Sequence, residues 1–417
     1  MKEILSKRIE ALPQSGIRKI NDRAIEMEQH GNAVIHLEIG RPDFDTPQYI
    51  KEEGIRNIEN GNVFYTANMG DIKLRKAISD KLREQNHISY DPQTEIMVSA
   101  GLSEAIFDSL EAILDAGDEI LVPDPVWINY VNVPKFIGAR PIAYTLLEEN
   151  DFQIDIREIR KKITKKTKAI VIVTPNNPTG SVLSRQILQE LAELVKEQDI
   201  YVIADEVYER ICYDAQEHVS IASLPGMKER TILFNGFSKA YSMTGWRLGY
   251  VAASKEIIKA INKVHQHLVT CAASFVQAAG VVALLYEKNE VEEMVEEYQR
   301  RRDFLVTEIN QISGISCKKP KGAFYLFVNI KKLPYSSEEF AQMLLEREKV
   351  ATVPGSVFGP GGEGYIRISF ASSYENLTEA VKRIRHFISE LEESRHEIYS
   401  PFFKRISRDG KRIFKRT

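Results

Sequence analysis

Short apolar runs near residues 95, 119, 169, 201, 231 and 247 punctuate the first two-thirds of the chain, and between them lie stretches such as Ser184 to Gln198 whose apolar positions recur with helical spacing. Ala169-Ile170-Val171-Ile172-Val173 and Ile200-Tyr201-Val202-Ile203-Ala204 are close to continuously apolar, as a strand covered on both faces must be. Strands alternating with helices imply βα units and a mostly parallel sheet flanked by helices, an α/β architecture. The later chain has a different rhythm: a strand in Gly322 to Val328, a helix from Ser337, a strand in Gly364 to Phe370 and a helix from Glu375. This pattern predicts a smaller α+β domain. No repeat or low-complexity linker separates the two parts. The expected division is an N-terminal segment at 1–50 joining the small domain, a large domain at 51–295, the small domain at 296–392, and a tail at 393–417.

Composition narrows the class without naming the chemistry. A length of 417 residues allows two domains, and a net charge of -3 gives no reason to expect nucleic acid as a partner. No apolar run approaches the ~18 residues of a membrane span, and Met1 to Arg8 lacks a signal-peptide core, so a cytoplasmic location without membrane contact is expected. Cys212, Cys271 and Cys317 have neither metal nor redox spacing and read as buried thiols in a reducing compartment. His265 and His267 are two apart, on different faces of a helix, which argues against a joint metal site; none is predicted. Gly359-Pro360-Gly361-Gly362-Glu363-Gly364 lacks the preceding strand and the Lys-Ser or Lys-Thr end of a phosphate loop, and reads as a flexible hairpin loop. The Lys- and Arg-rich tail from Ser394 reads as a solvated or frayed terminus, with contact to a partner or anionic surface as the sharper alternative.

The chemistry concentrates around Lys239, in Asn235-Gly236-Phe237-Ser238-Lys239-Ala240-Tyr241-Ser242-Met243-Thr244-Gly245-Trp246-Arg247. An ordinary lysine, with a reference pKa of about 10.4, is a poor nucleophile until burial or a nearby cation favours the neutral amine. An apolar setting, a preceding serine and a following arginine suit an amine forming a Schiff base beside a phosphate, the need of pyridoxal 5'-phosphate. That cofactor also requires a carboxylate at its ring nitrogen, phosphate donors and a holder for the substrate carboxylate. Asp205 ends an apolar strand, where ligands of open α/β sheets bind, although a helix cap is the plainer reading of an Asp there. Tyr208 follows as a donor to the ring's phenolic oxygen. Asn177, in the rigid turn Thr174-Pro175-Asn176-Asn177-Pro178-Thr179-Gly180, is a second such donor, though the turn alone is only a turn. Gly101, Leu102 and Ser103 open a helical pattern whose N-terminal amides favour an anion, and Ser238 and Arg247 add a hydroxyl and a charged fork.

With these motifs in order, the chain resembles the class I/II aminotransferases of pyridoxal-phosphate fold type I, in the subgroup containing bacterial and archaeal aspartate and aromatic aminotransferases. The likeness spans about residues 10 to 390. It rests on Leu37-Glu38-Ile39-Gly40-Arg41-Pro42-Asp43-Phe44-Asp45-Thr46-Pro47, the Asn-Asn-Pro-Thr-Gly turn, the Ala-Asp-Glu-Val-Tyr strand end and the Ser-Lys-Ala-Tyr-Ser-Met-Thr-Gly-Trp-Arg segment. The resemblance implies that Lys239 bonds the cofactor and moves the substrate proton. It implies that Asp205 pairs with the ring nitrogen, that Tyr208 and Asn177 meet the ring oxygen, and that Trp127 stacks on the ring. Gly40 would lie against the substrate and Arg367 would clamp its α-carboxylate. Tyr65 would reach the phosphate in a neighbouring subunit, so the implied active unit is a homodimer with shared sites. The implied reaction moves an amino group from an L-amino acid to a 2-oxo acid such as 2-oxoglutarate in two half-reactions. A lyase of the same fold is the alternative, since the same residues serve it; a DNA-binding regulator would need a module before residue 10. Ala67-Asn68-Met69-Gly70 replaces the family's usual Pro-x-Gly loop after Tyr65, which leaves substrate choice open. In Ser15-Gly16-Ile17-Arg18, Ile17 would favour an apolar side chain and Arg18 an acidic one.

Overall fold

The computed structural model describes residues 6–10, 16–286 and 288–413; Ser15 and the last four residues of the tail lie outside the described residues. In chain order its strands are β1 (Ile35–His36), β2 (Ile96–Ser99), β3 (Glu119–Asp124), β4 (Arg140–Thr145), β5 (Thr167–Val173), β6 (Tyr201–Asp205), β7 (Thr231–Gly236), β8 (Gly249–Ala252), β9 (Ser316–Cys317), β10 (Tyr325–Asn329), β11 (Val350–Ala351), β12 (Val353–Pro354) and β13 (Tyr365–Ser369). Seven of them form one sheet in the order β2-β8-β7-β6-β5-β3-β4. The pairs from β4 to β7 are parallel, while β8 runs antiparallel to both β7 and β2. The apolar β5 and β6 sit in the middle, where both faces are covered. β4 escaped the apolar-run signal because it is an edge strand with exposed positions.

A second, antiparallel sheet has the order β12-β13-β10-β9. The N-terminal chain meets the same part of the protein in a separate two-stranded sheet, where β1 pairs in parallel with β11. One continuous apolar core includes Ile172 and Leu188 under the first sheet together with Phe324, Leu326 and Ile366 of the second. Local chemistry fixes the helix starts. Ser184 accepts from the Ile187 amide to open helix Arg185–Gln198, and Ser336 with Glu339 makes a full capping box on helix Ser337–Glu348. The last helix, Tyr374–Ile413, continues through most of the stretch set apart as a tail, so the backbone does not break at residue 393.

Two expectations are corrected. The Gly359 to Gly364 stretch is not a free hairpin but holds a docked 3-10 turn, Pro360–Gly362, directly after another at Gly355–Phe358: the Gly361 amide donates to both carboxylate oxygens of Asp124 at 2.9 Å, and Val126 donates to the Phe358 carbonyl at 2.9 Å. Glycine is needed at 359, where φ is +123° and a Cβ would strike the Asp124 carboxylate. Of the three cysteines only Cys317 is buried; Cys212 and Cys271 are half-exposed.

Candidate active site

The carboxyl ends of β5, β6 and β7 deliver the candidate chemistry to one side of the sheet, as parallel strands do. Asp205 is the last residue of β6. Its Oδ2 accepts from the Tyr130 hydroxyl at 2.8 Å and its Oδ1 from the Val207 amide at 3.2 Å, and the chain then turns without entering a helix, so the helix-cap reading does not hold. Burial raises the Asp205 pKa to about 6, against the pull of those two hydrogen bonds.

Lys239 lies in the turns between β7 and β8, and its Nζ donates to the Gly40 carbonyl at 2.6 Å. The amine also sits 5.6 Å from the Tyr208 ring centroid and 5.7 Å from that of Phe324. Burial lowers its pKa to about 8; the Arg367 and Arg247 charges push the same way and Asp205 opposes them. The sequence therefore places an amine that is partly neutral at physiological pH beside a buried acid.

Arg367, in the middle of β13, is only 1% exposed. Nη1 donates to Asn177 Oδ1 at 3.1 Å and Nη2 to the Glu38 carbonyl at 2.5 Å, while Nε has no protein partner. The guanidinium lies 4.4 Å from the Tyr325 ring centroid. At the opposite end Gly101, with φ of +84°, precedes the first helical residue, Leu102; a Cβ on Gly101 would collide with the Arg247 guanidinium. The amides of Leu102 and Ser103 thus begin a helix with an arginine close against it, an arrangement that suits an anion.

Lys239, Asp205, Arg367, Asn177, Tyr208 and Trp127 line a single cavity of about 270 Å³, together with Gly40, Leu102, Ser103, Ser238 and Arg247. Gly101 stands behind this lining. Tyr65 is apart from it: 85% exposed and flanked by exposed Val63 and Phe64. Ile17 lines the cavity whereas Arg18 is solvent-exposed, which places an apolar group rather than a cation at that wall. Sequence reasoning missed Tyr130 and Tyr325. Tyr325 shares a 2.6 Å hydrogen bond with the Tyr208 hydroxyl and occupies the space a Cβ on Gly40 would need. The signal for Tyr130 was present, since it follows Trp127 by three residues, close to one helical turn.

Comparison with known proteins agrees with the fold: the model of the family "Aminotransferase class I and II" matches residues 32–384, and the chain belongs to that family. It is an aminotransferase. An aspartate aminotransferase of Pyrococcus abyssi is 46% identical over 388 residues, covering 93% of this chain and 98% of that one. An aromatic-amino-acid aminotransferase of Thermococcus litoralis is 42% identical over 388 residues, with coverage of 93% and 98%. Among solved structures, the aspartate aminotransferase of Thermus thermophilus with maleate superposes with a TM-score of 0.88 at 37% identity, covering 92% of this chain and 99% of that one. The lyase alternative finds no support in these relatives. Among the described residues no helix is long and apolar enough to cross a membrane.

Proposed function

We propose that the cavity binds pyridoxal 5'-phosphate and that the enzyme transfers the amino group of aspartate or an aromatic amino acid to a 2-oxo acid such as 2-oxoglutarate, by a ping-pong course. The observation that carries this reading is the Lys239 amine, lowered to about 8, in one cavity with the buried Asp205 carboxylate. The residues fit the cofactor. The missing side chain at Gly101 lets the Arg247 guanidinium close against the helix start, which sets a positive charge beside the Leu102 and Ser103 amides as a phosphate requires, and the unpartnered Arg367 Nε marks a guanidinium with donor capacity in reserve. The choice of donor follows the names of the Pyrococcus and Thermococcus relatives.

When bound, the cofactor supplies an aldehyde to take up the amino group and a ring to accept the electron pair left at the substrate Cα. Arg367 binds the α-carboxylate with its charged fork, and Asn177 and the Glu38 carbonyl fix the plane of that fork. Neutral Lys239 takes the proton from Cα. Asp205, held in place by Tyr130, would pair with the cofactor's ring nitrogen, and Tyr208 and Asn177 would hold its ring oxygen. Trp127 would lie against the ring and help exclude water, while Leu102, Ser103, Ser238 and Arg247, which line the same cavity, would hold the phosphate. The enzyme works as a homodimer in which Tyr65, exposed beside Phe64, completes the partner's phosphate site. The parts at 51–295 and 296–392 act as large and small domains. A cytoplasmic setting accords with the free cysteines.

The test is a half-reaction screen: mix the cofactor-loaded enzyme with single amino acids and follow keto-acid release. Conversion reversed by an added keto acid, and lost in Lys239→Ala, is the expected result. Ammonia release with the cofactor unchanged, or turnover in Lys239→Ala, would overturn it.

A further inference from the structure

Behind the cavity lies a cluster that the mechanism above does not use. Glu104 is the third residue of helix Leu102–Ile113, and its carboxylate accepts from the Ala100 amide. An acid at this position ordinarily reaches back to the amide of the residue just before the helix. Here it reaches one residue further and pins the turn that joins β2 to Gly101. The other oxygen of Glu104 meets Nδ1 of His265, from helix Lys255–Leu268. Asp108, one turn along from Glu104, places Oδ2 3.3 Å from the same nitrogen. His265 and Asp108 are fully buried.

A carboxylate in the first turn of a helix is normally stabilising. This helix start, however, opens through Leu102 and Ser103 on the anion-holding end of the cavity. There Glu104 competes for the same helix dipole and repels a phosphate dianion, unless its charge is cancelled. His265 is the group placed to offset it, with the second carboxylate, Asp108, one turn further into the helix. Glu104 and Asp108 are the charged groups that act on the ring; they raise its pKa to about 9 against the opposing effect of burial, so it is an imidazolium at neutral pH.

We propose that Glu104, His265 and Asp108 are positioning residues for the phosphate turn: Glu104 sets its backbone, and the His265 imidazolium, steadied by Asp108, offsets the Glu104 charge so that a phosphate can bind beside it. The proposal rests on the reading of the cavity as a pyridoxal-phosphate site. A merely structural cluster would affect any ligand of the cavity equally, whereas this one acts on the phosphate alone.

The experiment measures binding of pyridoxal phosphate and of phosphate-free pyridoxal to the full-length, cofactor-stripped enzyme by fluorescence quenching. His265→Gln is expected to weaken pyridoxal phosphate about 10-fold or more and pyridoxal less than about twofold, as loss of one charge-assisted contact implies. Adding Glu104→Gln to that variant is expected to restore most of the lost affinity. In the wild type, raising the pH through about 9 should weaken pyridoxal phosphate relative to pyridoxal, since the phosphate is already fully ionised there and Lys239 reacts with both aldehydes alike. Equal losses for the two ligands in His265→Gln, or no rescue by Glu104→Gln, would overturn the proposal. If His265→Gln does not fold, the wild-type pH series decides, and a flat ratio overturns it. Failure of the wild type to bind either aldehyde would instead overturn the cofactor reading on which the proposal stands.

Discussion

The reactivity of Lys239 gives the sharpest test of the site's electrostatics, because it can be read without cofactor or substrate. With a midpoint of about 8, roughly a quarter of the amine is neutral at pH ~7.5, against about one part in a thousand for an ordinary lysine; the site gains a factor of about 200 in nucleophile. After burial, the Arg367 charge is the largest cause of the lowering, while Asp205 acts against it. Replacing Arg367 by Gln removes a like charge and should move the midpoint up by roughly one unit, cutting the neutral fraction at pH ~7.5 from about a quarter to about 3%. Asp205→Asn should move it the other way, below 8. The assay is competitive acetylation of the cofactor-stripped enzyme with acetic anhydride across a pH series, with the Lys239 peptide quantified by mass spectrometry against an exposed lysine such as Lys259. A wild-type midpoint near that of the exposed lysine refutes the reasoning. So does an Arg367→Gln midpoint that stays put or falls, or any pair of variants that shift in the same direction.

Three further outcomes are expected. Tyr130→Phe removes a hydrogen bond to ionised Asp205, so the carboxyl midpoint should climb from about 6 by roughly one to two units; carbon NMR of labelled aspartate measures it, and an unmoved signal would exclude Tyr130 from the site. Gly101→Ala combines a left-handed φ with a collision against Arg247, and should lower pyridoxal-phosphate affinity about 10-fold or more with a Tm loss of a few degrees; unchanged affinity would mean that Arg247 does not define the phosphate end. Lys81 and Glu209 form a buried ion pair, and Lys81→Met should cost about 3 kcal/mol in urea denaturation by taking from Glu209 its lysine partner and leaving it the Asn86 hydrogen bond and the more distant His218. Because Glu209 is held down at about 2 when folded, against 4.5, its contribution is complete above pH 4.5 and lost as pH falls through about 2, so the variant should lose the acid limb of its stability profile; a limb that persists would assign it to other carboxylates.

The chemistry was legible where one stretch of chain carried several requirements at once. Asp205 stands at the end of an apolar strand, and Lys239 sits between a serine and an arginine; sequence neighbours alone suggest what such residues do. The groups that tune them were not legible in that way. Tyr325 meets Tyr208 across 117 positions and His265 meets Glu104 across 161, and nothing local to either residue marks the pairing. His265 in particular reads as one of two helical histidines until the packing of two helices brings it to a pair of carboxylates. The same limit hid β4: an edge strand needs few apolar residues, so the signal that found β5 and β6 is weak there. The glycines at 359 to 364 read as freedom, whereas at 359 and 361 a Cβ would run into Asp124 and keep the Gly361 amide from it.

That contact bears on how relatives of this enzyme can be recombined. Asp124 ends a strand of the first sheet two residues before Val126, and both hold the turns that lead into β13, the strand that carries Arg367. A chimera cut between the two sheets would inherit an acid from one parent and a glycine turn from the other, with Trp127 and Arg367 set by mismatched halves. Crossovers that keep residues 124–127 and 355–362 from a single parent preserve the interlock. The natural seam for shuffling therefore follows this contact rather than the boundary between the sheets.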